Sequence, residues 1–197
     1  MAVGGAFYVK TRWMSMPGTL RADEREEILL HGKRVAMMAA DIYEKLPFSL
    51  SNELGPLATV MDGAIYHDVG KARIPSAILN KAGYLTEEEW TLMRQHPILG
   101  MQDYLAASRD SGVDAVHRDR VAQLILRHHE RKDGSGYYGF LEDDPGVWFI
   151  GMLDMYTAMR EVRVYRQEPM SKESIVTQLA ATYPEAFLRH LKPYLPS

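Results

Sequence analysis

Between Arg21 and Leu46 the apolar residues Ile28, Leu29, Val35, Met38, Ala39, Ile42 and Leu46 recur at steps of about three and four, which is the period of one helix face. Pro47 ends that helix, and a polar turn through Ser49, Ser51 and Asn52 leads to a second helix over residues 53–66, with Gly70 breaking the pattern. Residues 71–85, with Pro75, Asn80 and Gly83, read as an irregular connection. Thr86 followed by Glu87, Glu88 and Glu89 has the spacing of an N-cap with a capping box, and predicts a helix to about residue 108, kinked at Pro97. Another helix is expected over residues 113–131. The segment from Asp133 to Gly139 must then be a loop, because its three glycines cannot hold a helix together. Pro145 opens a helix to about residue 163, and Ser171 caps one to about residue 182. Pro184, Pro193 and Pro196 limit regular structure beyond it. No useful strand alternation appears, so the pattern predicts an all-α fold, orthogonal or bundle-like, in one domain.

Polar residues interrupt these apolar stretches in a specific way. His31, His67-Asp68, His96, the pair His128-His129 and Asp154 all fall within or at the ends of expected helices. Each is costly to bury alone, whereas a shared cation accounts for the whole set. Imidazole and carboxylate suit borderline metals such as Fe, Mn and Zn, and the set is large enough for two ions. His117 and His190 belong to no cluster and read as ordinary surface or packing residues.

Composition narrows the function classes. The 197 residues fit one well-packed domain, 21–197, after an N-terminal extension of residues 1–20. A net charge of −3 with interspersed signs lacks the basic footprint of a nucleic-acid or polybasic membrane binder. There is no cysteine, so disulfides and thiolate metal sites are excluded, and a reducing cytosol is compatible. Neither an export signal nor a membrane-spanning apolar run is found, and a cytoplasmic protein is expected.

Two divalent ions held by neutral imidazoles, Asp68 and Asp154 would keep net positive charge and favour an anionic substrate. A water between ions roughly 3.5–4 Å apart becomes hydroxide near neutral pH and suits in-line displacement at phosphorus. Asp68 follows a ligand histidine directly and is the best candidate to bridge both ions. Lys71, four residues after His67, lies close enough to neutralise a phosphate oxygen or help the leaving alkoxide depart. Glu27, one turn before His31, reads equally as an added ligand and as an exposed acidic residue.

The stretches His67-Asp68-Val69-Gly70-Lys71, Arg73-Ile74-Pro75, Leu79-Asn80-Lys81, Leu85-Thr86-Glu87-Glu88-Glu89, His96-Pro97-Ile98-Leu99-Gly100 and His128-His129-Glu130-Arg131-Lys132-Asp133-Gly134-Ser135-Gly136-Tyr137 closely resemble the HD-GYP subgroup of the HD phosphohydrolases. The likeness runs from about Glu27 to Arg166. It implies an all-helical HD core with an inward-facing bi- or trinuclear iron or manganese site, and hydrolysis of cyclic di-GMP to pGpG or GMP. Carried over by position, the ligands would be His31, His67, Asp68, His96, His128, His129 and Asp154, with Glu27 matching the extra ligand of trinuclear members. Lys71 matches the family's active-site lysine, and Arg163 and Arg166 match basic residues that hold the substrate. A cyclic dinucleotide is the expected partner, with a diguanylate cyclase or other signalling protein and a second copy of the chain as further candidates. Two departures stand out. Tyr138 replaces the signature proline, which loses a fixed backbone angle. Thr157 replaces an aspartate near the active site. They keep open two alternatives: hydrolysis of another cyclic dinucleotide or nucleotide, and a weakly active cyclic di-GMP-binding module.

Overall fold

The computed structural model describes residues 9–161 and 168–196, and the regular secondary structure among them is helical apart from one isolated bridge between Arg131 and Leu141. The helices are α1 (Ala22–Tyr43), α2 (Phe48–Leu54), α3 (Leu57–Tyr66), α4 (Ser76–Leu79), α5 (Glu87–Met93), α6 (His96–Ser108), α7 (Ala115–Arg127), α8 (Pro145–Arg160), α9 (Lys172–Thr182) and α10 (Glu185–Leu191). Short 3-10 turns span Val69–Arg73 and Lys192–Tyr194. None of these helices is long and apolar enough to cross a membrane.

Apolar burial organises two adjoining cores. One gathers Val35, Ala39 and Ile42 of α1 with Val60 of α3, Phe149, Ile150 and Leu153 of α8, and Ile175 and Leu179 of α9. The other joins Leu29, Tyr66, Val69, Tyr104, Val121 and Ile125, and takes in Val9 and Trp13 from the N-terminal segment. Residues 9–14 are helical, and the Trp13 ring stacks under the buried Arg25 guanidinium. The metal candidates lie where the helices of these two cores converge.

The boundaries depart from the expected ones mainly at prolines. The polar turn expected through Ser49, Ser51 and Asn52 is helical, in α2, and the helix expected over residues 53–66 is interrupted because Pro56 caps the start of α3 rather than sitting inside a helix, with Gly55 before it at φ 87°. Proline lacks an N–H and would clash with the preceding turn, so it is accommodated at a helix start. The kinked helix expected to residue 108 is likewise two, broken at Arg94 and Gln95, with Pro97 in the first turn of α6. Beyond residue 182 the prolines do not limit structure as expected. Pro184 caps α10, whose Phe187, Leu188 and Leu191 are buried in the first core. The Thr86 capping box and the Ser171 cap are both present.

One close approach fixes the 3-10 turn against α6. A Cβ on Gly70 would lie 1.9 Å from the His96 carbonyl oxygen and 2.4 Å from the Gly100 nitrogen. Backbone atoms cannot yield like a flexible side chain, so Gly70→Ala is expected to destabilise the fold by about 1–3 kcal/mol or more. Denaturant unfolding of the variant measures this, and an unchanged midpoint would contradict it.

Candidate metal centre

Three of the cluster histidines sit at helix ends, and this placement sets their chemistry. His67 caps α3, His96 opens α6 and His128 caps α7. Each places Nδ1 against the carbonyl three residues back: Ala64 at 2.7 Å, Met93 at 2.9 Å and Ile125 at 2.7 Å. A carbonyl only accepts, so each Nδ1 carries the proton and donates it. Each Nε2 is thereby left to face the centre.

There the Nε2 atoms meet a common carboxylate. Asp68 Oδ1 lies 3.2 Å from His96 Nε2 and 3.8 Å from His128 Nε2, while Oδ2 lies 3.3 Å from His67 Nε2. His31 Nε2 and His67 Nε2 approach Asp154 Oδ1 at 2.9 and 3.5 Å. Two groups of donor atoms result, each within 4.8 Å: Asp68, His96, His128 and His129 in one, and His31, His67, Asp68 and Asp154 in the other. Asp68 belongs to both, which is the bridging position expected of it. His67 Nε2, Asp68 Oδ1 and His129 Nε2 are buried with no hydrogen-bond partner. Orphaned atoms of this kind, all able to ligate, fit a divalent cation in each group.

The electrostatics agree. Burial and the neighbouring imidazoles hold His128 and His129 well below the ordinary histidine range, and burial lowers His96 despite Asp68. These shifts favour the neutral, ligating form of all three rings. Burial opposes charge on His67, but Asp68 and Asp154 outweigh it and push its pKa up to about 10. His31 is raised too, because Asp154 and Glu161 overcome its burial. Asp68 and Asp154 are held well below the carboxylate range in spite of burial, Asp68 chiefly by Lys71 and His67 and Asp154 by His31 and His67. A proton and a cation thus compete for the space beside His31 and His67.

Lys71 projects from the 3-10 turn to place Nζ 2.5 Å from Asp68 Oδ2, beside both donor groups. Glu27 joins neither group. It is exposed on α1, and its Oε1 takes Arg34 Nη2 at 3.0 Å. The i, i+4 spacing that puts it on the His31 side of the helix does not bring it inward. Arg163 and Arg166 lie outside the described residues. His117 is a packing residue, hydrogen-bonded to Asp62 and Thr59 at 2.9 and 3.0 Å.

The loop after His129 is held without its signature proline. The Glu130 carboxylate is fully buried and accepts the N–H groups of Tyr138 at 3.0 Å and Phe140 at 2.9 Å. The first of these donors exists only because residue 138 is not proline. Tyr138 also donates its hydroxyl to the Arg94 carbonyl at 2.8 Å. The loop so fixed stacks Tyr137 on His129, centroids 4.1 Å apart, and sets it edge-on to His96. Thr157, one turn beyond Asp154, is buried with its hydroxyl unpartnered. In α8, a Cβ on Gly151 would lie 2.3 Å from the His128 carbonyl oxygen, so this glycine brings the Asp154 helix against the end of α7.

Two residues of the site carried no assigned role in the sequence: Glu130, and Glu161, whose Oε1 lies 2.9 Å from His31 Nδ1. Glu161 follows Asp154 by seven residues, two helical turns, and that spacing was its available signal.

Comparison with known proteins agrees with this geometry. The HD domain family model matches residues 28–181. A Vibrio cholerae protein named cyclic di-GMP phosphodiesterase is 37% identical over 103 residues, 51% of this chain and 21% of that protein. A 3'3'-cGAMP-specific phosphodiesterase 2 from Vibrio cholerae is 30% identical over 138 residues, 66% of this chain and 23% of that protein. The chain therefore spans less than a quarter of the length of these curated relatives. Among solved structures, Bd1817, an HDG"Y"P protein from Bdellovibrio bacteriovorus, shares the fold with a TM-score of 0.60 at 22% identity, covering 84% of this chain and 51% of that one. With its two donor groups meeting at Asp68 and its helical frame, the chain belongs to the HD domain family.

Proposed function

We propose that this chain is a metal-dependent phosphodiesterase that opens cyclic di-GMP to pGpG, with GMP as the product of a second cleavage. The observation that carries the reading is Asp68, one carboxylate shared by two histidine-rich donor groups. Two ions of iron or manganese fit these nitrogen and oxygen donors, and when bound they supply Lewis acidity at phosphorus and an acidified water. The chain's own residues do the rest. Backbone carbonyls hold His67, His96 and His128 with Nε2 inward, and Tyr137 buttresses His129 and His96. Lys71 places a positive charge beside Asp68, where a phosphate oxygen or a leaving alkoxide would gather negative charge. Arg163 and Arg166 follow α8 in sequence and are assigned to substrate binding.

A cyclic dinucleotide as substrate is supported by the relatives' names, one for cyclic di-GMP and one for 3'3'-cGAMP. The second name favours one alternative, cleavage of a mixed guanine–adenine ring, because both substrates present the same phosphodiester to the ions. Manganese-loaded chain offered both dinucleotides at equal concentration is expected to linearise cyclic di-GMP with the higher kcat/KM. Faster cleavage of 3'3'-cGAMP would move the assignment to that substrate, and tight binding without product would make the chain a receptor.

A further inference from the structure

We infer that Glu161 is the positioning residue for His31, and that it makes one of the two ion sites tighter than the other. This rests on the metal-centre reading above.

His31 differs from the other positioned histidines in where it stands. His67, His96 and His128 lie at helix ends and give Nδ1–H to a local backbone carbonyl. His31 lies in the middle of α1, where neighbouring carbonyls are engaged in the helix itself. Its Nδ1 is met instead by a carboxylate, Glu161 Oε1, at 2.9 Å. Glu161 stands at the C-terminal cap of α8, the helix that also carries Asp154 in its interior, so one helix and its cap address both nitrogens of the same ring.

Glu161 is itself held in place. Arg34, three residues beyond His31 on α1, donates Nε to the same Oε1 at 2.8 Å and Nη2 to Glu27 at 3.0 Å. The Glu161 backbone N–H bonds the Thr157 carbonyl at 3.1 Å. The pair Arg34 and Glu161 thus ties α1 to α8 across His31. A carboxylate on Nδ1–H fixes the tautomer that leaves Nε2 to ligate, and it raises the donor strength of that nitrogen above what a neutral carbonyl gives. The group of His31, His67, Asp68 and Asp154 receives this support. In the other group, His96 and His128 are held by carbonyls. The two sites are therefore unequal by construction.

The test is calorimetric titration of the metal-free full chain with Mn2+ alone, in the wild type, Glu161→Ala and Glu161→Gln. Two binding events of unequal affinity are expected in the wild type. Glu161→Ala should weaken the tighter event by about 10- to 100-fold and leave the other near its wild-type value. Glu161→Gln keeps a carbonyl to accept from Nδ1–H and should recover part of the loss. Unchanged affinities in Glu161→Ala overturn the inference while sparing the metal centre. Equal weakening of both events, with Gln as damaging as Ala, also overturns it, since that marks a scaffold role alone. A wild type that takes up no Mn2+ overturns both this inference and the reading beneath it.

Discussion

Asp68→Ala is expected to abolish the proposed hydrolysis and to prevent binding at both ion sites, the largest effect of any substitution in the chain. Every other ligand belongs to one donor group, whereas Asp68 belongs to both. Loss of the shared carboxylate leaves three imidazoles on one side, and His31, His67 and Asp154 on the other, with no common anion between them. Bound ions contribute several kcal/mol of charge stabilisation at phosphorus, so kcat/KM should fall by at least about a thousandfold. The contrast with His129→Ala makes the argument specific, because that variant loses a ligand from one group only and should retain one ion. Elemental analysis of the two variants side by side checks it. Equal ion counts in both would contradict a shared role for Asp68.

Lys71→Ala is the second large effect, and its signature differs. The ammonium lies 2.5 Å from Asp68 Oδ2, so two roles are open to it: balancing that carboxylate, or neutralising the substrate. Charge balance alone would make Lys71 a competitor of the ions. Its removal would then leave metal binding equal or tighter and turnover intact. A role at the developing negative charge predicts a kcat lowered by about 100-fold, some 3 kcal/mol, with both ions retained. The proposed mechanism requires the second outcome, measured as kcat and ion content on one preparation.

Much of this site was legible in the sequence because its residues violate their surroundings. His67-Asp68 and His128-His129 fall at the ends of apolar helical stretches, where unpartnered polar groups are expensive, and the structure brings seven of the eight proposed donors, all but Glu27, into two groups sharing one member. The helix caps at Thr86 and Ser171 were legible for a local reason, since side-chain capping involves residues about three apart. Glu27 shows where spacing runs out. Four residues from His31 puts it on a neighbouring part of the helix surface, but the helix rotates it far enough to reach solvent and Arg34. Glu161 shows the complementary failure. Its spacing from Asp154 places it two turns along the same helix, but its role depends on the approach of α1 to α8, a tertiary contact spanning 130 residues that this spacing alone does not record.

Tyr138 follows the same logic. Read as a departure, it loses the fixed backbone angle of the signature proline. The fold supplies two hydrogen bonds that proline would not make, from the Tyr138 N–H to Glu130 and from its hydroxyl to the Arg94 carbonyl. Tyr137 consequently still packs against His129 and His96. The prolines that misplaced helix boundaries, Pro56, Pro97 and Pro184, did so because they occupy helix starts, where a missing N–H carries little cost.

The proposed phosphodiester hydrolysis requires the two donor groups that share Asp68 to hold their ions. Elemental analysis of anaerobically purified chain, followed by a cyclic di-GMP assay before and after chelation, tests it most directly. Two iron or manganese ions per chain, linear product from the loaded protein, and none once the ions are stripped are the expected results. Linearisation that continues in metal-free protein would contradict that requirement.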